Sequence, residues 1–282
     1  MKRVLVVTDS TAGMDAGQVA EAGVKVIPLW VHFGESGYRD GVDLTSEQFY
    51  PMLARSKSLP TTSQPSAGEF LEFYKGLVGE AEAVVSIHIS STLSGTVASA
   101  QAARLMFSDL PVHVVDSRST SMGLGLIVLA AARAAAAGHS AEEVAALAER
   151  LSAQMNIIFA VQTLEYLHKG GRIGGASAFL GSIIQIKPIL HLQEGRIEAL
   201  EKVRSWARAK DRLLEIVAAR AGSASSLHGA VVHANSPDEA ESLRERLAAL
   251  VKFDELYTSG LSPAIGTHTG PGTIGLGFYA EE

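Results

Sequence analysis

The chain has 282 residues, of which 47% are hydrophobic and 19% are charged, a composition typical of a globular protein with one large or two ordinary domains. The formal net charge of −6 gives no general attraction to nucleic acid or to an anionic membrane surface. Because the chain has no cysteine, disulfides, thiolate metal sites and a cysteine nucleophile are excluded.

Two apolar stretches bear on where the protein resides. Near the N-terminus, the apolar run over residues 4–7 is too short for the core of a signal peptide. The longest apolar run, residues 122–132, stops at Arg133, which is too short to span a bilayer and fits a buried helix better. We therefore expect a cytoplasmic protein without stable membrane insertion.

The N-terminal half alternates between short apolar runs and helical patterns. Apolar runs predict strands at residues 4–7, 24–33, 83–89 and 112–115. Capping-box pairs mark three helix starts, namely Thr45 with Gln48, Ser66 with Glu69, and Ser140 with Glu143. Residues 34–43 are interpreted as a loop, and two prolines hold residues 59–66 extended. This alternation of strands and helices predicts an α/β domain over residues 1–155 with a parallel sheet and helices on both faces.

Beyond residue 155 the pattern changes, because hairpin signals mix with helices. Strands are predicted at residues 157–161, 187–192, 196–203, 229–233, 255–258 and 273–279. The turn at Glu194-Gly195 joins two of these strands in a hairpin. Helices are predicted at residues 207–221 and after Ser236-Pro237. Residues 156–282 are therefore predicted to form an α+β domain with a largely antiparallel sheet.

Polar side chains follow three of the predicted parallel strands. They are Thr8, Asp9 and Ser10, then Ser90, Ser91, Thr92 and Ser94, and then Asp116 and Ser117. Right-handed crossovers bring the carboxyl ends of parallel strands to one edge, where ligands of open α/β sheets bind. Hydroxyls ahead of a helix N-terminus outline an anion site, although Ser94 as a simple helix cap is an equal alternative. Asp9 and Asp116 fit an acid–base pair, but at strand ends such residues more often bind neighbouring N–H groups.

Two further motifs contain residue types that are common in binding sites. Lys169-Gly170-Gly171-Arg172 is either a phosphate-binding nest or a mobile domain junction, and it matches no known phosphate-loop pattern. Glycine and proline frame His268, which predicts a held loop presenting an imidazole, the alternative being a merely structural histidine. The histidines have no metal-like spacing, and neither a G-x-S-x-G elbow nor an H-E-x-x-H motif occurs.

Several motifs lie in order along nearly the whole chain. They are TDSTA at 8–12, PTTSQPS at 60–66, ISSTLSGT at 89–96, DSRSTSMGLG at 116–125, LEYLHKGGRI at 164–173, KPIL at 187–190 and GTHTGPGTIG at 266–275. Together they resemble the DegV family of bacterial fatty-acid-binding proteins, the DSRSTSMGLG run less closely than the others.

This resemblance implies a two-domain α/β protein that holds one long-chain fatty acid, such as palmitate, at the interface between residues 1–155 and 156–282. In that family a threonine and a serine hold the carboxylate, and they correspond to Thr62 and Ser94, with His268 close by. Some members deliver the acid to a separate fatty acid kinase, which forms an acyl phosphate. The resemblance thus implies a role in lipid transport and fatty acid metabolism, with no cofactor, no metal and no catalytic residue.

The physical chemistry of a fatty acid agrees with this implication. A carboxylate taken out of bulk water needs charge-assisted partners, which hydroxyls, helix N–H groups and a histidine can provide. An acyl tail of about fifteen methylenes has on the order of 12 kcal/mol of gross burial energy, much of which is lost to ordering. We therefore expect the tail to dominate affinity and the polar cluster to set orientation.

Three classes of function are compatible with these residues. The leading hypothesis is a non-catalytic lipid carrier. An enzyme acting on a small anionic or phosphorylated substrate at the same strand ends is the first alternative, and a lipid-sensing regulatory module is the second. In the carrier hypothesis we expect Lys169 and Arg172 to face outward near the ligand mouth, where they meet an acidic partner surface or a nucleotide phosphate.

Overall fold

The structure, a computed structural model, describes residues 4–222, 224 and 226–281, without the side chains of residues 182–185. The strands are β1 Val4–Asp9, β2 Lys25–Ile27, β3 Trp30–Phe33, β4 Ser36–Arg39, β5 Thr61–Ser63, β6 Ala83–His88, β7 Val112–Asp116, β8 Asn156–Ala160, β9 Lys187–Gln193, β10 Arg196–Val203, β11 Ser226–His233, β12 Glu255–Gly260 and β13 Ile274–Glu281. The α-helices are α1 Ala16–Ala22, α2 Ser46–Arg55, α3 Ala67–Lys75, α4 Thr96–Leu105, α5 Ser121–Ala136, α6 Ala141–Gln154, α7 Glu165–Lys169, α8 Trp206–Ala221, α9 Pro237–Leu250 and α10 Pro263–Thr269. Two stretches, Ser10–Ala12 and Gly174–Gln185, form 3-10 helices.

The N-terminal half is built on a parallel sheet with the strand order β2-β1-β6-β7, as predicted. Alternate residues of β1 pack on opposite faces of this sheet. Leu5 and Val7 join a core with α3 and α4, whereas Val4 and Val6 join a core with α5 and α6. The prediction of helices on both faces is therefore confirmed, and the carboxyl ends of β1, β6 and β7 share one edge.

The C-terminal half is built on a second sheet with the strand order β10-β9-β8-β13-β11-β12. Every neighbouring pair is antiparallel except β11 with β12, which confirms the predicted α+β class with a largely antiparallel sheet. Helices α8 and α9 contribute to the core on this sheet. Helix α5 contacts strands of both sheets, which explains why it is apolar on nearly all sides. Among the described residues, no helix has both the length and the apolar character that crossing a membrane requires.

A small antiparallel sheet with the order β4-β3-β5 was not predicted. The run at residues 24–33 divides around Pro28 into β2 and β3, and β4 forms within the segment interpreted as a loop. The sequence of β4, SGYR, has no apolar alternation, so its strand character comes from pairing with β3 rather than from its own pattern. This sheet matters for the site because β5 pairs with β3 and places Thr62 opposite Val31.

The prediction of a loop around His268 is wrong, because His268 lies in α10. Ser262 caps this helix and Pro263 occupies its first turn, which is the same start signal that correctly indicated α9 at Ser236-Pro237. The glycine-rich turn begins only after the helix, where Gly270 adopts a φ of 76°.

Helix α10 is attached to the N-terminal half of the chain at several points. The backbone N–H of Ala264 donates to Asp40 Oδ1 at 3.1 Å. Just before the helix, Ser46 Oγ donates to the carbonyl of Leu261 at 3.0 Å. Gly266 packs so closely on α2 that a Cβ there would lie 2.8 Å from the Tyr50 hydroxyl. These contacts hold α10 against the segment from Asp40 to α2, and α10 also contacts β3 and β5 directly.

Asp40 is a buried carboxyl, with 1% of its surface exposed. Burial raises its pKa to about 6, and the neighbouring Asp9 carboxylate acts in the same direction. Hydrogen bonds from Ser10, Ala264 and Ser262 favour the charged form and only partly oppose this shift. In the folded protein, Asp40 therefore binds a proton more tightly than in the unfolded chain.

We predict that Asp40→Asn removes a pH-dependent loss of stability. Between the unfolded pKa of about 3.9 and the folded pKa of about 6, the folded state binds more protons, so the Asp40 contribution to stability falls as pH rises. The free energy of unfolding of Asp40→Asn, relative to that of the parent, should rise by about 2 kcal/mol from pH ~4 to pH ~7. Chemical denaturation across this pH range measures the difference.

Asp43→Asn is the matched control, because Asp43 lies on the same segment and is exposed. The Arg39 side chain donates to Asp43 and lowers its pKa to about 2, so its contribution has the opposite sign and is lost only as pH falls toward that value. If the parent and Asp40→Asn show parallel stability curves, then Asp40 does not titrate as its burial requires.

Candidate functional site

A small polar cavity lies where α10 meets β5 and the turn before α4. Its volume is about 30 Å³, and its polar lining consists of Thr11, Thr62, Ser63, Gln64, Ser94, Arg172 and His268. Since one water-sized group needs roughly 10–15 Å³ of such space, the polar cavity has room for about two groups of that size. Two oxygen atoms of one carboxylate match this space.

Thr62 and His268 meet in the wall of the polar cavity. Thr62 Oγ1 and His268 Nε2 are 2.7 Å apart and share a hydrogen bond. The other ring nitrogen, Nδ1, is buried and has no hydrogen-bond partner among the described residues. It faces Gly170, where any Cβ would collide with the imidazole, so the first glycine of the Lys169–Arg172 turn is needed for the ring to fit.

The imidazole of His268 is neutral at physiological pH. Burial lowers its pKa to about 4, and the nearby Arg172 guanidinium acts in the same direction. The positive charge that the polar cavity offers to an anion therefore comes from Arg172 and not from His268.

The four hydroxyl residues after β6 have different roles. The N-cap of α4 is Gly95, so the interpretation of Ser94 as a simple helix cap is wrong. Ser94 lines the polar cavity, and its Oγ lies 2.8 Å from Thr96 Oγ1. Ser90 and Thr92 instead donate to the carbonyl oxygen of the hairpin residue Gly195.

Ser91, the remaining hydroxyl residue of this turn, does not line the cavity. Its hydroxyl donates to Asp116 Oδ2 at 2.5 Å, so it binds the neighbouring strand end. Asp116 also accepts from the backbone N–H of Ser91 and of Arg118, which is the capping role rather than the acid–base role. Of the four hydroxyls that suggested an anion site, only that of Ser94 reaches the cavity.

Lys169 and Arg172 point in different directions. Lys169 is exposed, and its Nζ lies 2.6 Å from Glu165 on the preceding turn of α7. Arg172 is partly buried and lines the polar cavity, so it does not face only outward as expected. Its Nε and one terminal nitrogen donate to the carbonyls of Leu93 at 3.2 Å and of Gly170 at 2.8 Å. These two bonds hold the guanidinium at the wall of the polar cavity.

Two further spaces adjoin the polar cavity. The apolar cavity, about 80 Å³, is lined by aliphatic and aromatic side chains from both halves of the chain, including Leu93, Ile157, Phe159, Leu192, Val232 and Ile265. The outer cleft, about 290 Å³, is lined by Leu59, Pro60, Thr61, Thr62, Tyr166 and Lys169 among others. Arg172 and His268 line all three spaces, so they mark the point where the spaces meet.

A buried hydrogen-bonded chain beside the site was missed by the sequence analysis. Tyr74 Oη donates to Ser86 Oγ at 2.9 Å, Ser86 Oγ lies 2.7 Å from His88 Nε2, and His88 Nδ1 lies 3.0 Å from Asp9 Oδ2. The order Ser–His–Asp is that of a nucleophilic triad. However, Ser86 and His88 are fully buried and line none of the cavities described above, so a substrate has no access to the hydroxyl.

This hydrogen-bonded chain instead positions two residues that line the polar cavity. Asp9 accepts hydrogen bonds from the Thr11 backbone N–H, from the Thr11 hydroxyl and from the Ile89 backbone N–H. Thr11 and Ile89 both line the polar cavity. Asp9 therefore has the capping role that strand-end acids usually have, and the motif signal for it was TDST at residues 8–11.

The structure thus brings Thr62, Ser94, His268 and Arg172 around one cavity and leaves Lys169 in the outer cleft only. Gln64 belongs to the same cavity and was overlooked, although it lies in the PTTSQPS stretch. Within residues 4–222, 224 and 226–281, no group of three or more histidine, aspartate or glutamate side chains is placed to hold a metal ion.

A family model, a curated relative and two solved structures each match this chain over nearly its whole length. A family model described as "Uncharacterised protein, DegV family" matches residues 3–281. A DegV domain-containing protein from Halalkalibacterium halodurans is 40% identical over 283 residues, which cover all of both chains. The structure of a fatty acid binding DegV family protein from Thermus thermophilus is similar at a TM-score of 0.94 and 38% identity, covering 99% of this chain and 100% of that one. The crystal structure of DegV, a fatty acid binding protein from Bacillus subtilis, is similar at a TM-score of 0.92 and 36% identity, covering 100% of both.

We predict that Arg172→Met raises the pKa of His268 part of the way from about 4 toward the ordinary value of about 6.5. Removing the guanidinium removes its repulsion of the imidazolium, but burial, the larger cause, remains. An NMR titration of the imidazole signals measures the change. Lys169→Met is the matched control, because that lysine is exposed and should leave the titration where it is in the parent. An imidazole that titrates near pH ~6.5 in the parent would contradict the buried site.

Proposed function

The chain belongs to the DegV family, and from this premise and the three adjoining spaces we propose that it binds one long-chain fatty acid as a non-catalytic carrier. The carboxylate occupies the polar cavity and the acyl chain occupies the apolar cavity. The observation that carries this proposal is that the two cavities share Ile89, Leu93, Arg172, Ile265 and His268. A head group and a tail attached to each other need two such spaces in contact.

The polar cavity supplies donors suited to a carboxylate. The hydroxyls of Thr62 and Ser94 can each donate one hydrogen bond, and the guanidinium of Arg172 supplies the charge that offsets loss of water. A guanidinium has five N–H donors, so its bonds to two carbonyls do not exhaust it. In this binding mode His268 stays neutral and donates from Nε2–H to Thr62 Oγ1, so the hydrogen of the Thr62 hydroxyl is available to the carboxylate.

The apolar cavity is small for a long acyl chain. At about 80 Å³ it is about half the size of the roughly 150 Å³ engineered cavity that holds one benzene molecule. Binding of the whole tail therefore requires lining side chains to separate. Burial of about fifteen methylenes, on the order of 12 kcal/mol gross, is large enough to offset the packing lost in this way.

The outer cleft gives the head group a route to a second protein. Thr62, Arg172 and His268 line both the polar cavity and this cleft, and Lys169 lies at its exposed side. We propose that a fatty acid kinase in the cytoplasm reaches the carboxylate through the outer cleft and forms the acyl phosphate, with Lys169 contacting the kinase. The ligand then sits between residues 1–155 and 156–282, which we propose as the two domains.

We predict that Thr62→Val and Ser94→Ala each weaken palmitate binding by about 1–3 kcal/mol, or roughly 5- to 150-fold in dissociation constant. Each substitution removes a hydroxyl donor to the carboxylate and leaves the tail contacts in place. Titration calorimetry with palmitate measures the change.

Ser91→Ala is the matched control, because Ser91 lies in the same turn as Ser94 but donates to Asp116 outside the cavity. It should bind palmitate as the parent does. Parent-like affinity in both Thr62→Val and Ser94→Ala would overturn the carboxylate assignment.

We further predict that charge reversals at the two basic residues separate binding from transfer. Arg172→Glu places a carboxylate beside that of palmitate and should weaken palmitate binding by tenfold or more. Loss of a single hydrogen bond to a charged group already raises the dissociation constant about tenfold. Lys169→Glu should bind palmitate normally but slow phosphorylation in an assay reconstituted with a fatty acid kinase. Lys252→Glu controls for net charge, because Lys252 is exposed and does not line the outer cleft. Equal transfer rates for Lys169→Glu and Lys252→Glu would remove Lys169 from the kinase surface.

A further inference from the structure

Four hydroxyl side chains line the apolar cavity, and they fall into two pairs. They are Thr120, Ser121, Thr269 and Thr273. The second pair is satisfied within its own segment, since Thr269 donates to the carbonyl of Ile265 and Thr273 donates to the carbonyls of Thr269 and Gly270. Thr120 Oγ1 and Ser121 Oγ are buried and have no hydrogen-bond partner among the described residues.

Nothing in the local fold requires these two hydroxyls. Thr120 is the N-cap of α5, yet its side chain makes no capping hydrogen bond. Ser121 is 6% exposed and has a φ of 51°, in the left-handed region that residues other than glycine disfavour. A buried hydroxyl without a partner is costly, and here two adjacent ones stand in the wall of an otherwise apolar space. Ser119 Oγ is also unpartnered, but Ser119 does not line the cavity.

The two hydroxyls lie away from the carboxylate end. Thr120 and Ser121 line the apolar cavity but not the polar cavity, whereas Arg172 and His268 line both. In the proposed binding mode they therefore face the acyl chain part of the way along its length. A saturated tail offers them no partner, whereas a hydroxyl group on the chain can both donate and accept.

We propose that Thr120 and Ser121 form a second polar subsite, which takes the hydroxyl of a mono-hydroxylated long-chain fatty acid. The inference rests on the proposed function, because the carboxylate must be held in the polar cavity for the chain oxygen to reach this subsite. Its consequence is selectivity for the position of the hydroxyl along the chain. Because the polar cavity holds the carboxylate and the second subsite holds the chain hydroxyl, the distance between these two sites selects the regioisomer whose groups lie equally far apart. Every other regioisomer leaves its hydroxyl unpaired in apolar surroundings.

The test compares stearic acid with a set of mono-hydroxylated stearic acids that differ only in hydroxyl position. Affinities are measured for the parent, Thr120→Val, Ser121→Ala and Thr269→Val. For the parent we expect one regioisomer to bind about tenfold or more tightly than the others, the size of one well-made hydrogen bond. Thr120→Val keeps the shape of the side chain but should lose this preference, and Ser121→Ala should reduce it as well.

Thr269→Val is the matched control, because it makes the same change in the same cavity to a hydroxyl that is already bonded to Ile265. It should keep the ratio between regioisomers. A parent that binds stearic acid but shows no preferred regioisomer overturns this inference alone. The same holds if Thr120→Val and Thr269→Val have equal ratios. A parent that binds neither stearic acid nor any hydroxylated acid overturns the proposed function itself.

Discussion

The hydrogen bond between Thr62 and His268 joins segments that are 206 residues apart, and the geometry of the site depends on both staying in place. Thr62 is held by the pairing of β5 with β3. His268 is held by α10, which Asp40 anchors through a backbone N–H and which packs on Tyr50 through a glycine. A ligand at this junction contacts both halves of the chain, so substitutions remote from the ligand can change its affinity.

The same junction determines the charge of the site. Because His268 is buried and lies near Arg172, its pKa is low and the ring carries no charge at neutral pH. The only cation that lines the polar cavity, among the described residues, is therefore Arg172. One partly buried cation and one carboxylate form a neutral pair, which costs less to keep from water than either charge alone. The neutral ring can still donate a hydrogen bond from Nε2 to Thr62 Oγ1, so it orients Thr62 without adding charge.

Much of the fold could be predicted from local sequence, but two elements were missed, for different reasons. Capping pairs such as Ser66 with Glu69 correctly marked helix starts, because a cap involves only neighbouring residues. Strand β4 was missed because its pairing with β3, and not its own composition, makes it a strand. The segment around His268, predicted as a loop, is a helix whose start signal, Ser262-Pro263, lies upstream of the glycine-rich motif.

By itself, the sequence determined the fold class, most of the helices and strands, and the motifs that meet around the polar cavity. Periodicity, caps and motif matches act over a few residues, so no tertiary contact was needed to recognise them. The inward direction of Arg172, the neutral state of His268 and the unpartnered hydroxyls of Thr120 and Ser121 were decided only by tertiary structure. These properties depend on burial and on which distant groups lie within hydrogen-bond reach, and neither is encoded in the spacing of residues along the chain.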